Sequence, residues 1–168
     1  MADRTQLYHS GCLTDGWRLF GAHPATEKGA YGWWFNVWAP RAKAVSVVGD
    51  FNGWDPEETP LAPKGEFWQG FVPDLPVYTS YKYAVTGADG KLRYKADPYG
   101  FHTETRPGTA SKLYDIEHFA WTDEAFRKAK QPVYHQPLNI YEVHLGSWRK
   151  HENGDFLDSR DMARQLAA

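Results

Sequence analysis

Val47-Val48-Gly49-Asp50-Phe51-Asn52-Gly53-Trp54-Asp55 ends a valine-rich strand in a tight turn and leaves an indole at its tip. β-Branched residues favour extended backbone, and Asn-Gly is turn chemistry. Upstream, Trp33, Phe35 and Val37 alternate with Trp34, Asn36 and Trp38 until Pro40 stops the run, the period of a strand with two partly covered faces. Downstream, Phe67 to Val72 reads as a third strand and Tyr78 to Val85 as a fourth, with Tyr81, Tyr83 and Val85 opposite Lys82 and Ala84. Asn52-Gly53, Lys64-Gly65 and Asp89-Gly90 punctuate the series, and Ser111 to Ile116 closes the sheet. Short strands at this spacing predict an all-β fold, an immunoglobulin-like antiparallel β-sandwich.

The sandwich is expected over residues 31–118, after an irregular lead-in at 1–30. A linker follows at 119–137, with a short helix capped by Thr122 and stopped by Pro132; the segment from Gln131 to Pro137, with two prolines and no periodicity, reads as a connector. Residues 138–168 read as one more strand, Leu138 to Leu145, then a loop through Gly146 and Gly154 and a helix capped by Asp158 or Ser159. A single strand–loop–helix unit cannot bury its own apolar face, so this piece reads as cut from a larger domain.

The chain has 168 residues, 42% of them apolar, enough for a packed core. A formal charge of −2, with Lys and Arg scattered among carboxylates, argues against a nucleic-acid partner. Cys12 is the only cysteine and Met1-Ala2-Asp3-Arg4 carries no apolar secretion signal, which together point to a reducing cytoplasm. No stretch approaches the roughly 18 apolar residues of a membrane span. Eight Trp, ten Tyr and nine Phe exceed what a small interior needs, so some are expected at a ligand surface or at one buried interface.

Catalytic constellations are absent from the sequence. There is no His-Glu-x-x-His, no cysteine pair for zinc, no phosphate-cradling glycine loop and no Gly-x-Ser-x-Gly elbow. The seven histidines read as packing or surface residues, and Glu57-Glu58 as a solvated edge. Trp54 carries two readings: a lid folded over the core, or a flat apolar face for a sugar ring, whose C–H face leaves water at about 25 cal/mol per Å². Lys82, on the polar face of an aromatic strand, reads as a solvent-facing lysine that could donate to a sugar hydroxyl.

Taken together, Tyr31 to Pro40, Val45 to Asp55, Tyr81-Lys82-Tyr83, Lys95 to Tyr99, Arg106 to Ser111, and Ile140-Tyr141-Glu142-Val143-His144-Leu145-Gly146-Ser147-Trp148-Arg149 resemble the amino-terminal part of bacterial 1,4-α-glucan (glycogen) branching enzymes. The resemblance runs in order from about Gly21 to the end, and the Tyr-Glu-Val-His-Leu-Gly-Ser-Trp run separates branching enzymes from most relatives that share the sandwich.

It implies a carbohydrate-binding module of family 48 followed by the first strand, Ile140 to Leu145, and first helix of a truncated (β/α)₈ barrel. It further implies a retaining transglycosylation that moves an α-1,4-linked chain to a 6-hydroxyl, with the catalytic carboxylates outside this chain and no cofactor or metal. The implied partners are α-glucan (glycogen, amylose) and the protein's own barrel. Where such modules bind glucan they use two tryptophans, a lysine and an asparagine. Trp54 and Lys82 match the first tryptophan and the lysine; the hairpin around Asp89 occupies the second tryptophan's place, and Ser111 stands near the asparagine's. A free-standing glucan-binding module and a piece of a debranching or trehalose-releasing relative are the alternatives, and the Ile140 to Arg149 run argues against the last.

Overall fold

Strand β1 (Gly21–Glu27) turns through Lys28 and Gly29 into β2 (Ala30–Trp38), pairing Gly21 with Asn36 and Glu27 with Ala30. Both loop residues have positive φ, 50° and 87°, as a two-residue hairpin loop requires. With strands numbered along the chain, β2 then pairs with β5 (Phe67–Pro73), which pairs with β4 (Ala62–Lys64), giving the order β1-β2-β5-β4. The second sheet contains β3 (Ala42–Gly49), β6 (Ser80–Gly87), β7 (Leu92–Lys95), β8 (His102–Thr103) and β9 (Ser111–Lys112). Its order is β3-β6-β9-β8, with β7 also along β6. All these pairings are antiparallel.

This is a computed structural model that describes residues 4–117, 119–130, 134 and 137–167. It falls into two compact units, Met1–Ala120 and Trp121–Ala168. In the first, the inner faces of the two sheets meet: Trp33, Phe35 and Val37 from β2 pack with Val45 and Val47 of β3 and Tyr81 and Tyr83 of β6. The period-two reading of β2 is therefore observed, Trp33 and Phe35 being fully buried while Trp34 and Trp38 remain 40% and 45% exposed. Phe51 also lies against this core.

Residues 1–30 are not the irregular lead-in expected. They contain helix α1 (Arg4–His9), a 3₁₀ turn (Gly16–Arg18) and β1. The reason is aromatic: the Tyr8 ring lies 5.1 Å from that of Phe20 and 6.0 Å from that of Phe67, and Phe20 is buried. Strand β1 escapes a periodicity reading because an edge strand with Pro24 and few apolar residues has little period to show.

In the second unit, α2 (Glu124–Ala129) has Asp123 rather than Thr122 at its N-cap, and residues 131–133 and 135–136 of the expected connector lie outside the described residues. The strand expected from Leu138 to Leu145 is not observed. Residues 138–144 belong to no strand, and Leu145 begins the short helix α3 (Leu145–Trp148). Strand backbone needs a neighbour to pair its N–H and C=O groups, and this segment has none among the described residues; Ile140 is 89% exposed. Helix α4 (Ser159–Ala167) is capped by Asp158, whose Oδ1 accepts the N–H groups of Arg160 and Asp161, each at 2.8 Å. No described helix is long and apolar enough to cross a membrane.

Candidate functional site: the turn at the end of strand β3

Strand β3 ends at Gly49, where an added Cβ would sit 2.3 Å from the Ser80 carbonyl oxygen and 2.7 Å from the Phe51 ring. Only glycine lets the chain pass this close. A 3₁₀ turn (Asp50–Asn52) follows, and the Asn52 side chain locks it. Its Oδ1 accepts the Gly49 N–H at 2.9 Å, while its Nδ2 donates to the Val47 carbonyl and to Thr59 Oγ1, each at 2.9 Å.

Gly53 and Trp54 then both adopt φ of 63°. For glycine this costs nothing, but for a bulky L-residue it is a strained conformation that the surroundings must hold. The holding contacts are the Trp54 N–H to the Gly49 carbonyl at 2.9 Å and the indole N–H to Asp50 Oδ1 at 2.7 Å. The half-buried indole thus has its edge spent on Asp50. Phe51, not Trp54, is the member of this turn found against the core cluster, so the lid role belongs to Phe51.

Lys82 lies on β6 directly across from Val48, at the same end of the sheet as this turn. Its Nζ donates to Thr109 Oγ1 at 2.7 Å, which leaves two ammonium protons without a protein acceptor among the described residues. Thr109 is held there by the loop around it. The Glu104 carboxylate accepts the Ala110 N–H at 2.9 Å and the Ser80 hydroxyl at 3.3 Å. Hydrogen bonding from the Ala110 N–H is the main reason its pKa lies below the ordinary glutamate value. Sequence reasoning missed Thr109, Asp50 and Glu104; the four-residue spacing of Asp50 and Trp54 was the one signal available.

Ser111 is fully buried, with its Oγ accepting the Asp97 N–H at 2.9 Å, so it anchors a loop instead of facing a ligand. Asp97 is itself buried. Its Oδ2 accepts the hydroxyls of Tyr81 at 2.7 Å and Tyr83 at 3.2 Å, and its Oδ1 accepts the Tyr99 N–H at 2.8 Å. Desolvation raises its pKa against the lowering effect of those bonds. A buried, pKa-raised carboxylate would suggest acid chemistry, but both oxygens are occupied by the fold. At the β6–β7 hairpin, Asp89 and Arg93 form an ion pair at 2.6 Å, with no aromatic among residues 87–91. No group of three His, Cys, Asp or Glu that could hold a metal occurs among the described residues.

Residues 19–100 match the family described as Carbohydrate-binding module 48 (Isoamylase N-terminal domain). Over 99% of its length the chain is 41% identical to the 1,4-alpha-glucan branching enzyme GlgB of Bacillus cytotoxicus, and over 95% it is 42% identical to the GlgB of Geobacillus stearothermophilus. Nearly the whole of this chain is thus similar to about a quarter of a branching enzyme. The chain spans 26% of the length of each of these two relatives. Among solved structures, ligand-free PulA from Klebsiella pneumoniae is similar at a TM-score of 0.46 and 22% identity, over 57% of this chain and 9% of that one. Within the module, Trp54 and Lys82 sit at one end of the second sheet, while the Asp89 hairpin is closed by charge.

Proposed function

We propose that this chain is the glucan-holding part of a 1,4-α-glucan branching enzyme. In the whole protein, an α-1,4 link would be cleaved and the freed chain transferred to a 6-hydroxyl, making an α-1,6 branch in glycogen in the cytoplasm. Carboxylates outside this chain would form and resolve the glycosyl intermediate with retention. Residues 138–168 would be the beginning of the catalytic barrel, which explains why Leu138, Ile140, Tyr141 and Phe156 lie exposed when described by themselves.

The module's role would be positioning. A glucose ring would stack on the free face of Trp54, and Lys82 would donate one of its remaining protons to a ring hydroxyl. The observation carrying this reading is the strained backbone of Trp54, held by Gly49 and Asp50 while Phe51 covers the core. Strain at a partly exposed aromatic that packs no core is better explained by ligand contact than by folding. Stacking one sugar face is worth on the order of 1 kcal/mol, or about fivefold in affinity. Affinity electrophoresis through glycogen tests it: Trp54→Ala should migrate faster than the wild-type chain, and equal mobility would refute the contact.

A second reading is favoured by the Asp89–Arg93 ion pair, which stands where a second stacking ring is expected. On that reading the module mainly braces the barrel, and neither the wild-type chain nor Trp54→Ala would be retarded by glycogen.

A further inference from the structure

The outer face of the first sheet holds a cavity of about 670 Å³, within the range of ligand pockets, that the Trp54 site does not use. Its floor is an aromatic pair. Trp34 and Phe71 are register partners across β2 and β5, with ring centroids 6.0 Å apart at an interplanar angle of 54°. Gly32 makes room for the second ring: a Cβ there would sit 2.8 Å from Phe71 Cζ.

The indoles between residues 30 and 73 separate into two kinds. Trp33 donates to the Leu75 carbonyl, Trp38 to Glu66, Trp54 to Asp50 and Trp68 to the Ala39 carbonyl. Trp34, 40% exposed at the cavity, has no acceptor for its N–H among the described residues. The polar rim is unspent in the same way. Glu27, Lys28, Lys64 and Gln69 line the cavity, and none of their side chains forms an ion pair or hydrogen bond among the described residues. Lys28 is held there at a φ of 50°, a conformation that disfavours lysine.

We infer that this cavity is a second α-glucan subsite, with Trp34 and Phe71 stacking a glucose ring and the rim groups binding its hydroxyls. The inference rests on the reading of the module as glucan-holding. A buried protein interface is depleted in Lys and Glu at its centre, and here it would strand both charge types unpaired. Glu27 set between Lys28 and Lys64 does not make the continuous basic face that phosphate binding wants. A neutral polyol, which both donates and accepts, satisfies acid, amide, ammonium and indole together.

The test is a titration of the ¹⁵N-labelled 168-residue chain with maltoheptaose, following the indole N–H cross-peaks, with Trp34→Phe used to assign its signal. The Trp34 cross-peak should move saturably in the wild-type chain and again in Trp54→Ala. In glycogen gels Trp34→Ala should lose about threefold to tenfold in retention, with Trp34→Phe intermediate. Movement of Trp54 with Trp34 unmoved would overturn the second subsite and leave the first reading intact. Movement of Trp34 that vanishes in Trp54→Ala would also overturn it, because the two signals would then report one site. If neither moved, both readings would fall.

Discussion

Replacing Trp54 by glycine and, separately, by alanine separates what its backbone costs from what its ring contributes. Both substitutions remove the indole and its bond to Asp50, so side-chain losses cancel between them. What differs is the φ of 63°. A left-handed conformation costs an L-residue about 1–2 kcal/mol, and glycine avoids that cost while losing about 0.5–1 kcal/mol more chain entropy than alanine on folding. Trp54→Gly should therefore be more stable than Trp54→Ala by about 0.5–1 kcal/mol, the reverse of the order in an ordinary strand. For a domain of this size that is a few degrees in Tm. Thermal melts followed by circular dichroism would read the difference, and glycogen gels run in parallel should show both variants equally impaired. If Trp54→Ala melts at or above Trp54→Gly, the left-handed backbone is refuted, and with it the argument that strain marks the site.

Lys82→Ala should weaken glycogen retention less than Trp54→Ala does, about twofold, because the ammonium loses one exposed hydrogen bond where the ring loses stacked area; a larger loss than that of Trp54→Ala would reverse the assignment of roles. The raised pKa of buried Asp97 sets a pH dependence: its stabilising contribution is full below the unfolded carboxylate value and is lost as pH rises through the higher folded value. Asp97→Asn cannot ionise, so the Tm advantage of the wild type over this variant should grow as pH falls from 7 towards 4, and a constant or shrinking advantage would refute the burial argument. Asp89 behaves oppositely, its pKa lowered to about 2 chiefly by hydrogen bonds from Arg93; in an NMR titration Arg93→Ala should return it towards the ordinary aspartate range.

What could be read along the chain was what depends on neighbouring residues. The alternation from Trp33 to Trp38 has a two-residue period whatever it packs against, and Asn52-Gly53 makes a turn by its own conformational preferences. Asp158 before a helix is capping chemistry of the same local kind. The ordered β1 was hidden because an edge strand carries a weak period. The segment from Leu138 to Leu145 has strand chemistry that only a paired neighbour can realise, and it has none among the described residues.

By itself, then, the sequence determined the sandwich, its main turns and the resemblance to branching enzymes, because each is written in short-range pattern or in runs such as Ile140 to Arg149. Only the tertiary structure decided that Phe51 and not Trp54 covers the core, that Asp97 and Ser111 are structural, and that Trp34 and Phe71 meet over a cavity. Those outcomes turn on burial and on which polar groups are already hydrogen-bonded, and both are set by residues distant in the chain that become adjacent only when the sheets pair and pack.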